Sequence, residues 1–171
     1  ADPGWGHEIK FDGYRMQMRV SGGNASLRTR TGLDWSQRFP EIASAGSALP
    51  DCVIDGEIVA LDRHGLPSFS ALQSALVDED TANLVYFVFD LLFAVGVDVR
   101  RLPLTERKNQ LFELLNSEKT SARLRYVEHF ETAADALLRS ACRMSLEGVI
   151  SKRLDAPYRS GRGNTWLKTK C

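Results

Sequence analysis

Apolar and polar residues alternate along much of the chain, and the phase of that alternation divides it into elements. From Glu8 onward, Ile9 and Phe11 are apolar at odd positions, whereas Tyr14, Met16, Met18 and Val20 are apolar at even ones. The phase slips at Asp12-Gly13, which predicts a bulge or tight bend at Gly13. Ser21-Gly22-Gly23-Asn24 predicts a hairpin turn, and residues 25–31 the return strand, with Arg28 and Arg30 on one face. Residues 53–61 and 84–93 are near-continuous apolar runs and read as buried strands. Asp62-Arg63-His64-Gly65 and the residues around Gly96 read as turns. Ser68 or Ser70 is placed to cap a short helix carrying Leu72 and Leu76. Thr105 is placed to cap a helix running to Leu115, and Thr132 one that carries Ala136, Leu137 and Ala141. Residues 124–130, 147–152 and 165–170 read as strands, with an exposed loop at 158–163 between the last two. Helices and strands mix without a βαβ rhythm, which predicts an α+β fold with mainly antiparallel sheets.

Length and composition fit one domain, or two small lobes, without staples. The chain has 171 residues, 43% of them hydrophobic, and a chain of this size buries roughly 70% of its unfolded surface. Three cysteines (Cys52, Cys142 and Cys171) with no C-x-x-C pair suggest neither a zinc site nor a disulfide, and a reducing cytoplasm fits them. No apolar run approaches a membrane span, and no signal-peptide pattern is present. The opening Ala-Asp-Pro-Gly-Trp reads as a trimmed or added start. Net charge is zero but unevenly spread. Residues 151–171 carry six bases against Asp155, a net +5, and residues 51–90 carry eight acids against Arg63. A basic terminal segment beside an acidic middle suits a surface that meets a polyanion and also holds cations. Solvated loops of either sign fit the charges equally well.

Three otherwise apolar strands are interrupted by charges: Lys10 with Asp12, Asp55 with Glu57, and Glu147 with Lys152. Charged side chains are rarely buried unpaired. One such strand alone reads as an edge facing water. Three of them, with the basic strand of Lys168 and Lys170, predict a shared cleft lined by both signs.

The order of these segments resembles a known family. Lys10-Phe11-Asp12-Gly13-Tyr14-Arg15 matches the K-x-D-G-x-R motif I of the covalent nucleotidyltransferases: DNA ligases, RNA ligases and mRNA capping enzymes. Val53-Ile54-Asp55-Gly56-Glu57 resembles motif III, Tyr86-Phe87-Val88-Phe89-Asp90 motif IIIa, Glu147-Gly148-Val149-Ile150-Ser151-Lys152 motif IV, and Trp166-Leu167-Lys168-Thr169-Lys170 motif V. Arg15 after the glycine is the form found in ATP-dependent ligases, and Glu-Gly at motif IV is similar to DNA ligases. Residues 7–15, 28–35, 67–73 and 147–171 look most like the ligase part of bacterial ligase D, an end-joining enzyme that works with Ku.

This resemblance implies two mainly antiparallel sheets flanked by helices around a nucleotide cleft, the ATP-grasp-like catalytic domain of ligases and capping enzymes. It implies that residues 1–171 form the nucleotidyltransferase domain, with the C-terminal OB-fold domain absent, so that the fragment would not complete nick sealing alone. It implies ATP as the AMP donor, Mg²⁺ or Mn²⁺, and nicked or broken double-stranded DNA as substrate. Ku and other end-joining domains are the implied partners, and the implied setting is a monomer in the bacterial cytoplasm.

Lys10 is the implied nucleophile, assisted by Lys168 and Lys170. A lysine must lose a proton to attack, and at an ordinary pKa of about 10.4 roughly one amine in a thousand is free near neutral pH. Neighbouring cations and burial raise that fraction, and the same cations stabilise charge on a transferring phosphate. Arg15, Lys152, Lys168 and Lys170 are the available ones. Glu57 and Glu147 are the implied metal ligands, Glu57 also meeting the ribose. Phe89 is the implied stacking partner of adenine, Ile150 the aliphatic residue on its other face, and Glu8 the reader of the adenine amino group. Arg15 and Arg30 are implied ribose or phosphate contacts, and Lys152 a further nucleotide contact. By periodicity alone Phe89 and Ile150 are core residues. Asp12 either orients Lys10 or structures the bend, and Asp55 is structural or functional. Competing readings are an RNA ligase or capping-type transferase, and a noncatalytic nucleotide- or DNA-binding fragment.

Overall fold

The computed structural model describes residues 3–117 and 119–171; Ala1 and Asp2, at the start of the chain, lie outside them. Two β-sheets carry the molecule. The smaller has three antiparallel strands in the order β1 (Trp5–Lys10), β8 (Gly148–Arg153), β9 (Trp166–Lys170). The larger has β3 (Asn24–Thr29), β2 (Tyr14–Ser21), β4 (Cys52–Val59), β5 (Val85–Ala94) and the short β6 (Val97–Asp98) in that order. One further strand, β7 (Leu124–Tyr126), pairs with β5 and is parallel to it. Every other pairing is antiparallel.

Alternation decides which side of the larger sheet is core. Met16, Met18 and Val20 of β2 are buried with Leu27, Ile54, Ile58, Tyr86 and Val88 from the neighbouring strands. Against them pack α1 (Pro40–Gly46), through Ile42, and α2 (Phe69–Val77), through Leu72. The Ser68 side chain accepts a hydrogen bond from the Ala71 amide and caps α2. Two further helices, α3 (Leu104–Leu115) and α4 (Ala134–Arg143), complete the fold. Neither takes the cap expected of it: Pro103 precedes α3 and Ala133 precedes α4, each without a side-chain cap.

The phase slip at Asp12-Gly13 has a larger meaning than a bulge. The chain leaves one sheet there and enters the other, so β1 and β2 are strands of different sheets. Gly13 makes the crossing possible because a Cβ on it would stand 2.0 Å from the Ile58 carbonyl oxygen. The stretch 124–130, read as one strand, is likewise divided. Its first residues pair with β5, while Phe130 exchanges backbone hydrogen bonds with His7 of β1.

The cysteine reading is corrected as well. Cys142, in the last turns of α4, is disulfide-bonded to Cys171, which follows β9. Their separation of 29 residues gave no sign of pairing; the β8–β9 hairpin carries the second cysteine back beside α4. Cys52 is a buried free thiol. No helix among the described residues is long and apolar enough to cross a membrane.

Candidate active site

Strand register gathers the charged residues on facing sides of the two sheets. In the smaller sheet Glu8 pairs with Ile150 and Lys10 with Gly148, while Ile150 pairs with Lys168, Lys152 with Trp166, and Gly148 with Lys170. Side chains on paired positions share a face. That face therefore carries Glu8, Lys10, Ile150, Lys152, Trp166, Lys168 and Lys170 together. In the larger sheet Arg15 pairs with Glu57 and Gln17 with Asp55, opposite the buried Met16 and Met18. The β4–β5 register shifts between Asp55 and Gly56, where Asp55 pairs with Asp90 and Gly56 with Val88. Phe89 is the residue left over. The irregularity turns its ring toward Arg15, Lys152 and Trp166, a re-aiming that bulges commonly supply beside active sites.

Lys10 sits at the end of β1 with its Nζ donating to Glu147 Oε2 at 2.7 Å, and both side chains are largely buried. Lys170 reaches the other oxygen of Glu147 at 3.5 Å. Gly148, next in the chain, has φ +155°, and a Cβ there would meet the Thr169 carbonyl oxygen at 2.1 Å. That glycine lets β8 begin directly beside β9, which brings Glu147 within reach of both lysines. Lys168 is held below the usual lysine range by partial burial and by the nearby charges of Lys10 and Arg15, with Arg30 adding a smaller push. Lys10, Arg15, Arg30 and Lys168 thus form one electropositive group. Glu57 lies among them: burial pushes its carboxyl up to about 7, against the pull of Lys10 and Arg15, and Asp55 adds to the rise.

Asp55 proves to be the anchor of Arg15. The guanidinium donates twice to its carboxylate, at 3.2 and 2.7 Å, and the Tyr158 hydroxyl donates to the same group at 2.9 Å. Tyr158 is consequently a fixed side chain at the root of a loop whose residues 159–163 are exposed. Phe89 and Trp166 meet edge to face with centroids 5.7 Å apart. The Lys152 ammonium lies 4.3 Å from the first ring and 3.9 Å from the second, close enough for strong cation–π attraction. Glu8 is buried beside it. One carboxylate oxygen is in ion contact with Lys152 and the other accepts a hydrogen bond from Lys108 of α3.

Periodicity would have shown two functional-looking residues that motif reading passed over. Along α3 the buried positions are Leu104, Arg107, Lys108, Leu111 and Leu115. Arg107 and Lys108 therefore occupy the stripe that the helix period reserves for apolar side chains. Arg107 donates to both oxygens of Asp90 at 2.8 and 3.1 Å, and to the Leu102 and Ala156 carbonyls. Asp12, Arg28, Arg159 and Arg162 are not drawn into this network; Arg28 folds back to Gly32 and Asp34.

The expected metal ligands reach the site by different routes. Glu147 is paired with two lysines, and Glu57 has an elevated carboxyl pKa. No group of three or more metal-ligating side chains occurs among the described residues. Two carboxylates do not make a complete cage, but Mg²⁺ characteristically takes one or two carboxylates and completes its shell with phosphate oxygens and water. The donor set fits an ion that arrives with a polyphosphate.

Known proteins resemble this chain in sequence and fold. Residues 2–170 match the family model of the ATP dependent DNA ligase domain. A multifunctional non-homologous end joining protein, LigD, of Pseudomonas aeruginosa is 43% identical over 98% of this chain, which corresponds to 20% of that protein. The ligase domain of Mycobacterium tuberculosis LigD superposes with a TM-score of 0.84 at 32% identity, over 97% of this chain and 54% of the solved chain. A mycobacterial DNA ligase D complexed with ATP and MES gives 0.86 at 30% identity, again over 97% and 54%. The chain spans about a fifth of the length of the LigD relatives it matches. With a family model covering nearly its whole length and a LigD relative at that identity, this chain belongs to the ATP-dependent DNA ligase domain family and is homologous to the ligase domain of LigD.

Proposed function

We propose that this chain is the adenylating core of a DNA ligase and that Lys10 carries the AMP. The Lys10 amine attacks the α-phosphorus of ATP, a phosphorus–nitrogen bond forms, and the bond to the bridging oxygen breaks. Pyrophosphate leaves with that electron pair. Glu147, 2.7 Å from the amine, is placed to accept the proton the nitrogen must lose. Arg15, Lys168 and Lys170 stabilise the charge that spreads over the phosphate oxygens during transfer. The base lies against Phe89 and Ile150 with Glu8 at its edge, Glu57 and Arg30 meet the ribose side, and Lys152 is drawn to phosphate. A divalent cation held by Glu57 and Glu147 would supply further charge neutralisation on the polyphosphate. AMP then passes from Lys10 to a DNA 5′-phosphate, and the 3′-hydroxyl displaces it to seal the strand.

The observation that carries this reading is the environment of the Lys10 amine: largely buried, paired with a glutamate, and grouped with the cations of two facing sheets. An isolated surface lysine has no such surroundings. The names of the LigD relatives support a wider reading, in which the parent protein acts on broken double-stranded DNA in end joining. In that reading it works with Ku and its own further domains, as a monomer, in the cytoplasm.

Intact-mass measurement tests the chemistry. Incubation with ATP and Mg²⁺ should add one AMP, pyrophosphate should remove it, and Lys10→Ala should never gain it. Uptake of GMP from GTP in preference to AMP would shift the reading to a capping-type transferase. An adduct that persists in Lys10→Ala would remove Lys10 from the role.

A further inference from the structure

We propose that Lys108 is a positioning residue for base selection: it holds the Glu8 carboxylate as a fixed, charged acceptor at the edge of the base site. The inference rests on the reading of Glu8 as the residue that meets the base. It assigns a role to a helix residue that belongs to none of the five motifs.

The two lysines on Glu8 are unlike each other. Lys108 is fully buried, donates to Glu8 Oε1, and donates again to the Val127 carbonyl at 2.7 Å. Its position on α3 is fixed, because Arg107 beside it is locked to Asp90 and to the Ala156 carbonyl. Lys152 is equally buried, yet its nitrogen has no well-aligned hydrogen-bond acceptor among the described residues. Its ammonium rests instead between Glu8 and the rings of Phe89 and Trp166. A phosphate offers Lys152 the hydrogen bonds it lacks, so Lys152 is the cation free to move toward a polyphosphate. Lys108 cannot follow, since its backbone carbonyl partner and its helix retain it.

This division of labour solves a charge problem. A buried carboxylate deprived of every cation is strongly disfavoured. If Lys152 alone balanced Glu8, drawing it to phosphate would leave Glu8 uncompensated just as the base arrived. Lys108 remains as the counter-ion. It also fixes which lone pairs of Glu8 face the base, since each carboxylate oxygen can accept more than one hydrogen bond. Burial lowers the Lys108 pKa, opposed by the Glu8 charge, and a smaller contribution comes from Lys152. Moving Lys152 away therefore strengthens the charged form of Lys108 when it is most needed.

The test compares lysyl-AMP formation from ATP with the equivalent adduct from purine riboside triphosphate, which lacks the 6-amino group. The wild-type chain should favour ATP by about tenfold or more in kcat/KM, the usual worth of a hydrogen bond to a charged acceptor. Lys108→Met should raise KM for ATP by about tenfold and bring the two nucleotides to near parity, with kcat changed much less. Glu8→Gln should also erase the preference, and the double variant should lose no more than either single one. Lys108→Arg, which keeps the charge, should retain a preference for ATP. A lowered melting temperature with the preference intact in Lys108→Met would mean a purely structural role and would overturn the proposal. An unchanged preference in Glu8→Gln would instead show that Glu8 does not read the base. If Lys108→Met fails to fold, Lys108→Gln, which keeps a donor toward Glu8 and removes the charge, decides the same question: the preference for ATP should fall, and its survival would overturn the proposal. A wild-type chain that takes up neither nucleotide would overturn the adenylation reading itself.

Discussion

Burial pushes the Glu57 carboxyl up to about 7, because the water stripped from the carboxylate is only partly repaid by Lys10 and Arg15. The ordinary value is 4.5, so on raising the pH the unfolded chain gives up this proton before the folded one does. Between those two values the folded state binds more protons than the unfolded, and stability falls as pH rises. Above about 7 the penalty is constant, at most about 3 kcal/mol for a shift of this size. Glu57→Gln should therefore gain stability relative to wild type across that window and then level off, as read from urea midpoints at a series of pH values. A flat difference from pH 4 to pH 8 would show that the carboxyl is ionised throughout. The same group predicts a proton count. A ligating carboxylate must be ionised, so binding of the preformed Mg²⁺ complex of an ATP analogue that cannot transfer AMP should release protons near pH 6, approaching one per chain. Calorimetry in two buffers of different ionisation enthalpy measures it, and the release should disappear in Glu57→Gln.

The α3 helix is the element that joins the two sheets, and it does so with charge. Arg107 holds Asp90 of the larger sheet while donating to the Ala156 carbonyl beyond β8, and Lys108 holds Glu8 of the smaller one. Removing one member of a buried pair strands the other, a loss of about 3–5 kcal/mol. Arg107→Met should accordingly lower the urea midpoint by that order, and the paired change Asp90→Asn should cost less when added to it than alone. Additive losses in the double variant would mean that the two groups are not coupled. Sequence reading found the strands of this scaffold well, because β2 alternates apolar with polar while β4 and β5 are near-continuous apolar runs buried on both faces. It placed the cap of α2 at Ser68 but not those of α3 and α4. Thr105 and Thr132 are typical capping residues, but α3 begins one residue before Thr105, where the Leu104 and Thr105 amides bond the Ala156 and Leu154 carbonyls. It missed α1 because seven residues contain too few turns for a period to show. The slip at Gly13 was visible in the sequence, but a local pattern cannot tell a bulge from a change of sheet.

At the scale of the molecule, both facing sheets carry both signs in unequal share: the smaller presents Lys10, Lys152, Lys168 and Lys170 with Glu8, the larger Asp55, Glu57 and Asp90 with Arg15. The uneven charge along the sequence foreshadowed that division, and the motifs marked most of its residues. The partners were not legible, since Glu8 with Lys108 and Asp90 with Arg107 are joined only through the packing of α3. The Cys142–Cys171 bond was hidden for the same reason, and it has the widest reach. It encloses 29 residues of separation that include β8, the exposed loop and β9, and so Glu147 and every lysine of the terminal segment. Among the described residues β9 pairs along its length with β8 alone, and most of its residues are exposed. It has little burial of its own to retain it, so the cross-link should matter. Closing a loop of this length removes denatured-state entropy worth about 3–4 kcal/mol. Reduction, or Cys142→Ser, should lower the urea midpoint accordingly and speed amide exchange in β9 before it does so in β4 or β5. Cys52 provides an internal control, since burial pushes its thiol up to about 12 and leaves it unreactive while the chain is folded. Alkylation of the folded protein should label no cysteine without reductant and two with it, the third reacting only on unfolding. Labelling of Cys171 in the absence of reductant, or equal midpoints for the oxidised and reduced chains, would show that the ladder to β8 suffices to hold β9 and its lysines in place.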